Sequence, residues 1–132
     1  MPHAMNRSAF LAARNSGQPL LSAYGQLVAT ELALKDNATT WRRGHDVPQM
    51  LDDLSDPGLT ALSALLRVQL SAIPCTDTTG NTAPVNPSNY PTLRYSHHVN
   101  DNAGGIPTSH LQNLVGTVED IIVQLRVKGV AI

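Results

Sequence analysis

The chain has 132 residues and a net charge of −1, with 42% hydrophobic and only 4% aromatic side chains. That length suits one domain with one core, and the near-neutral charge excludes the global basic field that drives non-specific nucleic-acid binding. The lone cysteine, Cys75, excludes an internal disulfide and a cysteine-based zinc site.

An aliphatic, alanine-rich composition favours helices over sheet, because strands draw on aromatic and β-branched residues. A first helix is expected over about Met5 to Asn15, on the modest apolar face of Ala9, Phe10, Ala12 and Ala13. Gly17 ends it in the left-handed conformation. A second, longer helix is expected from Pro19 to Asp36. Leu20, Ala23, Tyr24, Leu27, Val28, Glu31, Leu32 and Lys35 recur there at spacings of three and four. Glu31 precedes Lys35 by one turn, the favourable order for an ion pair. "DNATTWRRGHD" then reads as a connection.

Asp46 is a predicted N-cap. Gln49 lies three residues later, as in a capping box, and Pro48 suits the first turn. The short helix that follows carries Met50, Leu51 and Leu54. "SDPG" restarts the chain: Asp56 caps, Pro57 begins a fourth helix, and Leu59, Leu62, Leu65, Leu66, Leu70 and Ile73 form its apolar stripe. Residues 74–91 hold four prolines and many small polar side chains, so no long regular element is expected. A loop of that length in a small domain is usually functional or mobile. "LRYSHHV" fits a single helical turn or a short extended piece. The last helix has the clearest signals: Ser109 with Gln112 as a capping box, then Leu111, Leu114, Val115, Val118, Ile121, Ile122 and Leu125, with Lys128 and Gly129 at its end. The expectation is a single all-α domain over residues 1–132: a compact bundle of four to five helices with a long Pro-rich loop before the last one. The stripe on the last helix suits core packing, and also a second copy of the chain or a partner protein.

The order of these pieces resembles a known family. "LLSAYGQLVATELALKD", "GHDVPQMLDDL", "YPTLRY" and a final amphipathic helix are similar to segments of the HEPN superfamily of small helical bundles. The matching features are the E-x-x-x-K segment at Glu31 to Lys35, the "GHD" with its leucine-rich turn from Gly44 to Leu54, and "YP…RY" from Tyr90 to Tyr95. The resemblance implies membership of a prokaryotic toxin–antitoxin or anti-phage defence system, often as a dimer. It implies two kinds of role: metal-independent endoribonuclease, or a non-catalytic subunit that binds nucleotides or partner proteins. Nuclease members place four to six residues between an arginine and a histidine. Here Arg94 and His98 enclose three, and Arg94 and His97 two. That departure favours the interaction or regulatory module over the nuclease; a purely structural helical subunit with no ligand is a third reading.

Arg94, His97 and His98 are nevertheless the candidate catalytic residues. A neutral imidazole takes a proton from a ribose hydroxyl, a protonated one returns it, and a guanidinium holds the charged phosphorane. The same residues also read as architecture, with Arg94 paired to Asp101 and the histidines in a cap or loop, or as a phosphate contact without chemistry. Arg42 and Arg43, beside Trp41, are candidates for a phosphate or nucleotide contact, or form a solvated turn. His45 and Asp46 read as a packed residue beside a cap rather than a catalytic pair. A metal site from His97, His98 and His110 is disfavoured because adjacent histidines point apart in most backbones. No metal and no cofactor are expected. With no apolar targeting segment and no membrane-length span, no membrane association is expected and the cytoplasm is the expected compartment.

Overall fold

The computed structural model describes residues 9–15, 17–37, 44–76, 82–95 and 108–132. The described chain is an all-α bundle. Residues 9–11 are helical and tighten into a 3-10 turn over Ala12–Asn15; the earlier part of the expected first helix lies outside the described residues. Helix α1 spans Pro19–Asn37, α2 Val47–Asp52, α3 Pro57–Ser71 and α4 Thr108–Val127.

Helix α1 is the centre of the bundle, in contact with the N-terminal turn, α2, α4 and the segment around Tyr90. Of the predicted stripe, Ala23, Leu27 and Glu31 are buried, whereas Leu20, Tyr24, Val28, Leu32 and Lys35 are half-buried; Leu34, outside that stripe, is buried as well. A second face is buried too, and no apolar stripe announced it. It consists of Ser22, Gln26, Ala29, Thr30 and Ala33. Two side-chain bonds stay within the helix: Gln26 Nε2 donates to Ser22 Oγ at 3.0 Å, and Thr30 Oγ1 donates to the Gln26 carbonyl at 2.8 Å. Small or self-satisfied side chains let a neighbouring helix approach closely without stranding polar groups.

The caps behave as the sequence indicates, with two differences. Asp46 Oδ1 accepts from Gln49 N at 3.1 Å. The reciprocal half of the box is missing, because Gln49 Nε2 reaches forward to Asp53 Oδ1 at 3.0 Å. Asp56 Oδ1 accepts from Gly58 N and Leu59 N at 2.8 and 3.2 Å, and its second oxygen meets Lys128 at the far end of α4. Thus the start of α3 is tied to the end of α4. Gly129, at φ +88°, closes α4: its N–H donates to the Arg126 carbonyl and that of Val130 to the Leu125 carbonyl. Thr108 already belongs to the helix, so Ser109 sits in the first turn rather than before it.

Two leucines of the predicted stripes face outward. Leu54 lies past the end of α2, and Leu65 is displaced from the buried face of α3, which runs Leu59, Ser63, Leu66, Leu70. Ser63 holds a core position because its hydroxyl donates to the Pro48 carbonyl at 2.9 Å and accepts from Arg67, which also grips Asp52 at 2.7 Å. All seven residues of the last helix's stripe turn inward: Leu111, Leu114, Val118, Ile121, Ile122 and Leu125 are buried and Val115 is half-buried.

The Pro-rich connection carries a minimal antiparallel ribbon, β1 (Pro74–Thr76) with β2 (Thr82–Pro84), in the register Pro74↔Pro84, Cys75↔Ala83, Thr76↔Thr82. Pro74 and Pro84 stand opposite each other, and neither has an N–H to give to the ladder. Val85 N–H donates to the Ile73 carbonyl at 2.9 Å, and both side chains join the core. The chain then enters a 3-10 helix, Tyr90–Tyr95, which begins three residues before the turn expected at "LRYSHHV". No helix among the described residues is long and apolar enough to cross a membrane.

Candidate functional site

The densest polar chemistry gathers around Glu31. A carboxylate on the buried face of a helix needs donors, because desolvation without hydrogen bonds is costly. Three arrive from three segments. Lys35, one turn along α1, donates to Oε2 at 3.2 Å. Tyr90 Oη donates to Oε1 at 2.9 Å, across 59 residues of sequence. His45 Nδ1 lies 2.7 Å from the same Oε1. An ionised carboxylate only accepts, so Nδ1 carries the proton.

Local backbone explains how two loops reach one oxygen. Gly44 adopts φ +83°, a conformation costly for residues with a Cβ, and turns the chain so that His45 enters the bundle edge. His45 and Asn89 then form an isolated parallel bridge, which sets Tyr90 beside the imidazole. The phenol ring is buried. It meets His45 edge-on and Tyr24 at a tilt, with ring centroids 6.0 Å apart in each case. Burial, and then the adjacent Glu31 carboxylate, push the Tyr90 phenol far above the usual tyrosine range, so it is a donor at neutral pH.

The members differ in access. The Glu31 side chain is 8% exposed and that of Lys35 13%, whereas His45 is 46% exposed. The arrangement therefore holds one imidazole at the surface through Nδ1, in one orientation, with Nε2 on the far side of the ring from the carboxylate. Carboxylate–imidazole pairs of this kind serve as proton acceptors in general-base chemistry.

This site differs from the one expected. The expected Glu31–Lys35 ion pair forms, and it is a largely buried element of a larger cluster. His45 reaches back to Glu31 rather than packing beside Asp46, which is occupied as a cap. A signal for this was present: Glu31 falls on the apolar face of α1, where an ionised side chain is rarely tolerated without partners. Arg94 lies within the 3-10 turn Tyr90–Tyr95, one turn beyond the buried phenol. His97, His98, Arg42 and Arg43 lie outside the described residues. His110 is exposed in the first turn of α4, and no group of three metal-binding side chains occurs among the described residues.

Comparison with known protein families, with characterised proteins and with solved structures finds no match to this chain.

Proposed function

We propose that the chain is a HEPN-like helical module that serves as an interaction or regulatory subunit of a prokaryotic toxin–antitoxin or anti-phage defence system. One observation carries this reading: the three segments behind the resemblance, E-x-x-x-K, "GHD" and "YP", meet at Glu31. Segments far apart in sequence converge on one carboxylate, as expected if they are parts of one architectural device. Within it the Tyr90 phenol and the Glu31 oxygens are committed to each other, which fits a module better than a reaction centre.

The partner surface follows from what the core leaves over. Since Leu114 and Ile121 are buried, a partner meets the outer side of α4, where Val127 stands 76% exposed. The experiment is co-purification of the tagged chain with the products of its neighbouring genes, or with an untagged second copy. A Val127→Arg change is expected to release the partner without lowering the melting temperature, while Arg94→Ala and His98→Ala leave assembly and phenotype intact. Loss of phenotype in the Arg94 or His98 variants, with assembly retained, would overturn the reading.

The Glu31-held imidazole favours a second reading, a divergent metal-independent endoribonuclease. In that case His45 Nε2 accepts the proton of a ribose 2′-hydroxyl as its oxygen attacks phosphorus; the P–O5′ bond breaks, the 5′-oxygen leaves with a proton from solvent, and a 2′,3′-cyclic phosphate remains. RNA cleavage that persists in EDTA and disappears in folded His45→Ala would establish it. Intact RNA after prolonged incubation with the wild-type protein would exclude it.

A further inference from the structure

A cleft of about 590 Å³ opens between the N-terminal turn, α1 and the second half of α4. That size falls within the range of small-molecule sites. Leu11, Gln26, Glu119, Ile122, Val123 and Arg126 line it. Gln26 is the buried polar residue of the lining. It is only 2% exposed, and its amide nitrogen is spent on Ser22. No hydrogen bond to its amide oxygen occurs among the described residues, and that oxygen is not one of the sealed-off polar atoms that lack a partner, so solvent reaches it. A donor on a guest would replace water at that oxygen, so this wall of the cleft accommodates a guest that donates.

The two charges on the wall are also unspent. Glu119 makes no ion pair among the described residues, and Arg126 uses only Nε, which donates to the Ile132 carbonyl at 3.0 Å. The remaining guanidinium fork suits a carboxylate. The two residues sit seven apart on α4, on the same face, roughly 10 Å apart along the axis. That is too far for a direct pair and the right scale for a short charged chain between them. Leu11, Ile122 and Val123 supply apolar surface along the same wall.

We propose that this cleft binds an amino acid with a cationic side chain. The α-carboxylate lies on Arg126, the α-ammonium donates to the Gln26 amide oxygen, and the side-chain cation reaches Glu119. The aliphatic stem covers the apolar wall. This site is separate from the Glu31 cluster and does not depend on the module reading.

The test is calorimetric titration and thermal melting of the full chain with L-arginine and L-lysine, set against agmatine, which lacks the carboxylate, and norleucine, which lacks the side-chain cation. Saturable binding of L-arginine or L-lysine is expected, with a melting-temperature rise of about 5 °C near saturation. Agmatine and norleucine should bind at least about tenfold more weakly. Glu119→Gln and Arg126→Gln alter exposed side chains, so both variants should keep the wild-type circular dichroism and lose affinity by a similar factor. Gln26→Leu removes the buried acceptor, and its own melting curve separates a folding defect from a binding one. No saturable binding into the millimolar range, equal binding of agmatine, or full affinity in the two exposed variants would each overturn the proposal.

Discussion

Replacing Tyr90 with phenylalanine removes one oxygen and leaves the ring. The packing against Tyr24 and His45 is kept, so the change isolates the bond to Glu31 Oε1 at 2.9 Å. A buried hydrogen bond to a charged group contributes about 1.5–3 kcal/mol. At about 2.1 cal/mol/K per residue, the unfolding entropy of 132 residues is roughly 0.28 kcal/mol/K. The expected fall in melting temperature is therefore about 5–11 °C, measured by circular dichroism at neutral pH.

The same substitution has a signature in alkali. The folded-state pKa of Tyr90 is raised far above its ordinary value near 10. The contribution is thus fully present below pH 10 and is lost as pH rises above it, because the unfolded chain releases the phenolic proton and the folded chain keeps it. There the unfolded state binds one proton fewer at this site, and stability falls by about 1.4 kcal/mol per pH unit. Urea denaturation between pH 10 and 12 should show this extra slope in the wild type and its absence in Tyr90→Phe. An unchanged melting temperature together with an unchanged alkaline slope would show that the phenol is not bound to a buried carboxylate.

Glu31→Ala leaves three donors without their acceptor, one of them the largely buried Lys35, and should cost about 3–5 kcal/mol in urea denaturation. His45→Ala, at a half-exposed position, should cost about 1 kcal/mol or less; the opposite order would place the centre of the cluster elsewhere. Gly44→Ala meets no atom within 4 Å of its new Cβ, so any loss is conformational. About 1–2 kcal/mol is expected from the left-handed backbone, and a neutral result would mean that the turn feeding His45 relaxes freely.

Much of the fold was legible because its elements carry local punctuation. Asp46 and Asp56 as caps, Pro19, Pro48 and Pro57 in first turns, and Gly129 as a helix end all depend on side chains within a few residues of the boundary. The last helix's stripe was legible for a similar reason, since one face of spaced aliphatic residues has one economical place to go. The second buried face of α1 was not, because Ser22, Gln26 and Thr30 are polar by composition and apolar only in effect, once their hydrogen bonds are closed within the helix. The site was half legible. Sequence reading found the three segments but not their meeting point, because contacts over 14 and 59 residues follow from tertiary packing rather than from spacing.

Why such a meeting point should be polar is a separate physical question. Replacing a buried charged cluster by well-packed apolar side chains is often neutral or stabilising, so net stability is a poor account of Glu31. Orientation is a better one. An apolar contact between the "GHD" loop and the Tyr90 turn tolerates sliding, whereas one carboxylate oxygen accepting from both Nδ1 and Oη fixes the two loops relative to α1. Apart from the single bridge at His45 and Asn89, no regular secondary structure among the described residues joins these loops. This account makes His45 and Tyr90 energetically dependent on each other even though they share an acceptor rather than a bond. A double-mutant cycle between His45→Ala and Tyr90→Phe should therefore be non-additive, by about 0.5 kcal/mol or more. Strict additivity would mean that each loop is held by its own contacts, and that Glu31 satisfies two donors without coupling them.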